Sequence, residues 1–295
     1  MIKLVLSDMD ETLKRANEPL VPKRTLKAIT ALKEAGIDFG PATGRSAYDA
    51  LPFYGFDARY LQTAVCGSGK VVYGKGALVA KRVLSTKTLE RILQVIARYK
   101  DTYLAYFGEG PAEPPLDVSI RPAWMIFGVT QAQVDYINAH YDSFTTAQGP
   151  NTVPHDKDFI SVGILAPQDR LAREAMFDDV LTQIPEIDLV SPYTGWYDVN
   201  PKGFSKADGF KILLEYLNLA PDEVVFCGDS GNDLTLLELS PHSFCVGNGS
   251  DEAKAAATYT LNGTVDEEIV ARLMEALVAD GGDISGPHVQ ALIER

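Results

Sequence analysis

The sequence predicts an α/β protein: a doubly wound, Rossmann-like parallel sheet core with a second α+β unit inserted into it. Three observations predict this. Short apolar runs alternate with helical periodicity at both ends of the chain. Two of those runs end in clusters of acid and glycine, where open α/β sheets place their ligand crevice. The middle of the chain follows a different grammar, with strand and helix candidates of its own.

The elements follow in order. Ile2 to Ser7 reads as a buried parallel strand, apolar on both parities, running into Asp8-Met9-Asp10-Glu11-Thr12. Pro19 and Pro22 mark a loop, and Lys23 to Ala35 repeats Leu26, Ile29 and Leu32 near one helical turn, with Gly36 placed for a C-cap. Ile37 to Ala42 is the next strand, followed by Thr43-Gly44-Arg45. Near the other end, Ser205 to Leu217 is an amphipathic helix broken at Pro221, and Val224 to Cys227 is a strand ending in Gly228-Asp229-Ser230-Gly231-Asn232-Asp233. A helix from Leu234 to Leu239, a strand from Phe244 to Val246, a helix from Asp266 to Ala279 and a final short helix complete this half. Between the halves, helices are expected at Thr86 to Tyr99, Gln131 to Tyr141 and Gln168 to Gln183. Strands are expected at Tyr103 to Phe107, Met125 to Val129, Phe159 to Leu165 and Ile187 to Ser191. The expected division is therefore residues 1–82 and 193–295 for the core and 83–192 for the insert.

Composition narrows the class. The chain has 295 residues, enough for two domains at roughly 100–200 residues each. With 46% hydrophobic and 23% charged residues it is an ordinary globular chain, and no apolar run approaches the ~18 residues of a membrane span. The start has no signal-peptide pattern. Three cysteines make neither a disulfide framework nor a zinc site, so a reduced, cytoplasmic location is expected. The formal net charge of −13 argues against nucleic acid, which needs a basic footprint. A bound metal could still invert the field of one crevice for an anionic ligand.

The chemistry gathers at the strand ends. Asp8 and Asp10, two apart, share a side if strand geometry persists; such a pair can supply a nucleophile and a general acid/base, or merely cap a turn. Asp229 and Asp233 end a second buried strand, and in a parallel sheet such ends lie on one edge. Four carboxylates meeting there would repel unless a hard cation sat among them, and oxygen-only ligation suits Mg²⁺. Asp233 could instead N-cap the Leu234 helix. Thr43 offers a hydroxyl and an N–H beside Gly44. Lys206 sits at a helix start, against the dipole preference, which suits a task such as holding a phosphate or a carboxylate, although a solvated lysine would also read this way. Arg45 is either a substrate contact or a structural salt bridge. Cys227 and Cys245 read as core residues.

Asp8-x-Asp10-x-Thr12, Thr43-Gly44-Arg45, Lys206 and Gly228-Asp229-Ser230-Gly231-Asn232-Asp233, in that order, resemble the haloacid dehalogenase superfamily. Gly203-Phe204-Ser205-Lys206 and Val246-Gly247-Asn248 resemble its Cof-type sugar-phosphatase branch, whose C2-type cap sits where the insert lies. The resemblance implies a Mg²⁺-dependent phosphatase of small phosphorylated metabolites. Asp8 would form an aspartyl-phosphate and Asp10 would act as acid and then base. Asp8, the Asp10 carbonyl, Asp229 and Asp233 would hold the metal. Thr43 and Lys206 would bind the phosphoryl group, with Asn232 a further contact. A phosphotransferase or phosphomutase using the same intermediate, or a silent binding protein on the same fold, are the alternatives. Arg121, Trp124 and the Glu109 to Pro115 loop are candidate specificity elements. Two positions depart from the family pattern: Glu11 stands where glycine is usual, and Ser68 where the branch has asparagine. Cys66-Gly67-Ser68-Gly69-Lys70 could offer N–H groups to a phosphate or be a plain turn.

Overall fold

A computed structural model describes residues 1–121, 123–140 and 146–294. In chain order the elements are β1 (Leu4–Ser7), α1 (Lys23–Glu34), β2 (Asp38–Pro41), α2 (Ala47–Ala50), β3 (Ala64–Cys66), β4 (Val71–Gly74), β5 (Ala77–Lys81), α3 (Thr86–Ile96), β6 (Tyr103–Phe107) and β7 (Trp124–Ile126). They continue with α4 (Gln131–His140), β8 (Thr146–Gln148), β9 (Val162–Leu165), α5 (Arg170–Gln183), β10 (Ile187–Tyr193), β11 (Trp196–Pro201), α6 (Lys206–Leu217) and β12 (Val224–Gly228). The last are α7 (Leu234–Leu239), β13 (His242–Cys245), α8 (Asp251–Ala256), β14 (Tyr259–Thr260), α9 (Ile269–Ala279) and α10 (Pro287–Gln290). Tyr141, the expected end of α4, lies outside the described residues.

The chain divides into two compact units. Met1–Lys81, Ala112–Val118 and Ser205–Arg295 form the first; Arg82–Pro111 and Ser119–Phe204 form the second. The first is built on a five-stranded parallel sheet of order β14-β13-β12-β1-β2. β1 lies inside this sheet, and Leu4, Val5 and Leu6 are fully buried, each contributing roughly 1.5–3 kcal/mol. A three-stranded antiparallel sheet, β3-β4-β5, adjoins it through an Ala42–Val65 bridge. The second unit is a six-stranded sheet of order β10-β11-β9-β6-β7-β8, mostly antiparallel. α3 and α5 cover it with Leu89, Ile92, Met176 and Val180.

The units differ from the expected 83–192 division in two ways. β11, whose mixed pattern does not stand out in the sequence, pairs with both β9 and β10, so the second unit runs on to Phe204. Ala112–Val118 folds with the first unit instead. Tyr73 Oη donates to the Ala112 carbonyl (2.8 Å), Asp117 N donates to Tyr48 Oη (3.2 Å), and Lys81 pairs with Glu113 (2.8 Å). The Glu109 to Pro115 loop is thus split between the units. Trp124 stays in the second unit, edge-on to Trp196 at 4.6 Å.

α6 ends at Leu217 as expected, stopped by Asn218, which turns left-handed (φ 52°) three residues before Pro221. α9 begins at Ile269 rather than Asp266, because Glu268 is left-handed (φ 49°) and separates it from a short 3₁₀ turn. Among the described residues, no helix is long and apolar enough to cross a membrane.

Candidate active site

β1, β2 and β12 run parallel, so their C-terminal ends open on one edge of the sheet. Asp8 follows β1, still held by its N–H to the Cys227 carbonyl (2.8 Å). Asp229 follows β12, and Asp233 stands one residue before α7. Asp8, Asp229 and Asp233 each offer an oxygen within 4.8 Å of the others, and all three are buried.

Lys206 is the cation of this group. Its side chain is 0% exposed, and its ammonium donates to Asp8 Oδ1 (2.6 Å) and Asp233 Oδ1 (2.7 Å). The solvated reading of this lysine is thereby excluded. Its place depends on a close approach. The turn Cys66 to Lys70 packs on the start of α6 so tightly that a Cβ on Gly69 would lie 2.2 Å from the Ser205 carbonyl oxygen. Gly67, Ser68 and Gly69 are all left-handed, which the glycines allow freely. The N–H groups of residues 67 to 70 are spent on the carbonyls of Arg45, Thr43, Cys66 and Gly67. This is the plain turn, not a phosphate cradle.

Asp233 occupies the N-cap position of α7, but its side chain does not cap that helix. Oδ2 accepts from the N–H groups of Asp229 (3.1 Å) and Ser230 (3.3 Å), closing the loop on itself. Gly228 keeps the space clear, because a Cβ there would meet Asp233 Cγ at 2.8 Å. Thr12 Oγ1 donates to Asp229 Oδ1 (2.8 Å), tying the first motif to the fourth.

The field here is negative and partly dry. Burial raises the Asp8 pKa well above its usual value, with Asp233 and Asp229 adding to the rise against Lys206. Burial, then Asp233, pushes Asp229 up to about 7. Burial alone would lower the Lys206 pKa, but Asp233 and Asp8 outweigh it and raise it. Once ionised, three crowded carboxylates against one ammonium leave an excess of negative charge. An oxygen-only donor set with that excess fits a hard divalent cation.

The Asp10 carboxylate is not part of this trio. β1 ends at Ser7, the loop turns at Glu11, and strand geometry does not persist to Asp10. Lys14 donates to its Oδ1 (2.9 Å) and Arg45 Nε to its Oδ2 (2.6 Å). The expected meeting of four carboxylates is therefore a meeting of three, because two cations draw the fourth aside. Burial would raise the Asp10 pKa, but Arg45 and Lys14 hold it below the usual range. Arg45 also pairs with Asp49 (2.9 Å), so it makes the structural salt bridges. Thr43 is buried; its hydroxyl accepts from Arg45 N (3.1 Å) and keeps a proton to donate. Gly44 is half-buried between the two. Asn232 faces its own loop, accepting from Ser230 Oγ (3.1 Å).

Sequence reasoning missed Lys14, Asp49 and the bond made by Thr12. A lysine in a loop signals only solvation, and no periodicity marks Lys14 as buried. Glu11 sits in the left-handed region (φ 60°), which explains glycine as the family's residue there. Its carboxylate turns back to accept from Ala16 N (2.7 Å).

The profile of the haloacid dehalogenase-like hydrolases matches residues 5–274, nearly the whole chain. The chain belongs to this family. Within it, this haloacid dehalogenase-like hydrolase falls in the Cof-type branch and is an enzyme of the phosphatase kind. Phosphatase YwpJ of Bacillus subtilis is 24% identical over 303 residues, covering 94% of this chain and 100% of its own. The 5-amino-6-(5-phospho-D-ribitylamino)uracil phosphatase YbjI of Escherichia coli is 24% identical over 270 residues, covering 88% and 90%. The subclass IIB sugar phosphatase BT4131 shares the fold with a TM-score of 0.71 at 18% identity, over 92% of this chain and 98% of that one.

Proposed function

We propose that this hydrolase is a Mg²⁺-dependent phosphatase of small phosphorylated metabolites, sugar phosphates first, acting through an aspartyl-phosphate on Asp8. The observation that carries the reading is Asp8 itself: a buried carboxylate fixed by Lys206 beside Asp229 and Asp233, with Asp10 two residues on and held by its own cations. The names of the YbjI and BT4131 relatives support a phosphorylated sugar or sugar-like substrate. The buried thiols of Cys66, Cys227 and Cys245 suit a reduced, cytoplasmic setting.

Asp8 would attack phosphorus in line, with Lys206 offsetting charge on the nucleophile. Thr43 would donate its hydroxyl to a phosphoryl oxygen. Asp10 would protonate the leaving oxygen and then take the proton from the attacking water. The first step uses Asp10 protonated and the second uses the anion, the form that Arg45 and Lys14 favour. Asp8, Asp229, Asp233 and the Asp10 carbonyl would hold Mg²⁺, which when bound neutralises charge between the nucleophile and the phosphoryl group. Asp233 already accepts three hydrogen bonds, so its contribution would run through water more readily than that of Asp8 or Asp229. Gly44, Arg45 and Asn232 remain proposed phosphate or substrate contacts.

A panel of phosphorylated metabolites, assayed for phosphate release with Mg²⁺ and with EDTA, tests the reading. Release from sugar phosphates that requires Mg²⁺ is expected. Activity that survives EDTA would overturn the metal requirement. Phosphate passed to a second sugar without release would make the enzyme a phosphotransferase.

A further inference from the structure

Lys14 has a place that the fold alone does not require. Its side chain is 0% exposed although it lies in a loop, where a lysine ordinarily reaches water. Its ammonium has three protons and meets three oxygens: Asp10 Oδ1 (2.9 Å), the Arg15 carbonyl (2.8 Å) and the Ala16 carbonyl (3.4 Å). The Phe53 ring lies beneath it, 4.2 Å from ammonium to centroid. Burying a charge is costly, and a methionine would fill the same volume without that cost. The two carbonyl bonds pin the loop. The bond to Asp10 goes beyond pinning.

The two oxygens of Asp10 have unequal partners. Oδ2 belongs to Arg45, which has a second acceptor in Asp49 Oδ2 (2.9 Å) and whose guanidinium also lies over the Phe53 ring (4.5 Å). Arg45 can give up Asp10 and still face a carboxylate. Among the described residues Lys14 hydrogen-bonds no second carboxylate, since its other two acceptors are neutral carbonyls. Oδ1 is therefore the anchored oxygen and Oδ2 the releasable one.

We propose that Lys14 is a positioning residue for Asp10, holding Oδ1 through turnover and leaving Oδ2 to carry the proton. This rests on the reading of Asp8 as nucleophile and Asp10 as acid and base. The first step starts from Asp10 protonated on Oδ2: the Asp8–phosphorus bond forms, the phosphorus–oxygen bond to the leaving group breaks, and that oxygen takes the proton from Oδ2. In the second, a water oxygen bonds to phosphorus, the Asp8–phosphorus bond breaks, and Oδ2 takes the proton of the water. The products are the alcohol and inorganic phosphate, with both aspartates restored.

The test compares full-length Lys14→Met, Asp10→Asn and Asp8→Asn with p-nitrophenyl phosphate and Mg²⁺. This leaving group needs little help from an acid, so a misplaced Asp10 shows in the water step. Lys14→Met is expected to lower kcat about 10- to 100-fold with KM within about threefold, as misplacement of a catalytic group does. Acid-quenched Lys14→Met should also carry more phosphate on Asp8 than wild type at steady state. A role confined to pinning the loop would lower the melting temperature and leave phosphoenzyme level and kcat per folded molecule unchanged; that result overturns the proposal. If Lys14→Met does not fold, Lys14→Gln, which keeps a donor for the carbonyls, is read by the same criteria. Full activity in Asp8→Asn would overturn the functional reading itself. Inactive Asp8→Asn and Asp10→Asn beside an unimpaired Lys14→Met would overturn only the assignment to Lys14.

Discussion

Lys206 and Asp8 lie 198 residues apart in the chain, and their side chains meet at 2.6 Å, the lysine fully buried and the aspartate nearly so. The same ammonium reaches Asp233, so one cation serves two buried acids. Lys206→Met removes it and leaves both carboxylates without a countercharge. The expected loss is about 3–5 kcal/mol of stability, the usual cost of breaking a buried pair. Denaturant unfolding in EDTA measures it. A variant as stable as wild type would show that the pair is not worth its burial.

Asp229 makes stability depend on pH. Below about pH 4 folded and unfolded chains both hold its proton. Between there and about 7 only the folded chain does, because burial and Asp233 raise the folded value. The unfolded state then binds fewer protons, so raising the pH across this window destabilises the fold. Asp229→Asn lacks this penalty. In EDTA its unfolding midpoint should gain on wild type between pH 4.5 and 7.5. A gap that stays constant, or closes the other way, contradicts the raised value.

A divalent cation acts on the ionised trio. Mg²⁺ should therefore raise the melting temperature of wild type more at pH 7.5 than at pH 5, because ligands bind as anions. In Asp229→Asn the Mg²⁺ effect should be much reduced at both. Equal Mg²⁺ stabilisation in the two proteins would place the ion elsewhere.

Asp8→Asn and Asp10→Asn should fail differently. The first removes the nucleophile, and phosphate release should fall by at least ~10⁴-fold, with no phosphate found on the protein after acid quench. The second should lose about 10²–10⁴-fold in kcat, the usual share of acid–base catalysis, while phosphate accumulates on Asp8. Phosphate trapped in Asp8→Asn would mean another nucleophile.

Glu11 occupies a left-handed site at the edge of the loop. Glu11→Gly relieves that backbone and loses the bond to Ala16 N, two opposing effects of about 1 kcal/mol or less. Stability should change little and kcat should stay within about threefold. A tenfold fall in kcat would assign Glu11 a part in the chemistry.

Much of the fold was legible because its signals are local. β1 is apolar on both parities, as a strand buried on both faces must be, and α7 follows its expected bounds, Leu234 to Leu239, without change. β11 was not legible, since Trp196–Pro201 mixes polar and apolar residues and becomes a strand only through β9 and β10. Ala112–Val118 likewise joins the first unit through distant tyrosines, Tyr48 and Tyr73, that nothing in its own sequence names.

Residue type, spacing and periodicity are enough to fix the four motifs, their order and the parallel sheet that brings strand ends to one edge. Which way each carboxylate faces depends instead on contacts between distant segments. Asp10 is equally an acid in either direction, and its orientation is set by Lys14, four residues on, and by Arg45 from the loop after β2. Whether Lys206 is solvated or buried was likewise decided by Gly69, whose missing side chain lets the turn after β3 close on the start of α6. Side-chain charge is written in the chain, but the field it experiences depends on what the fold packs around it.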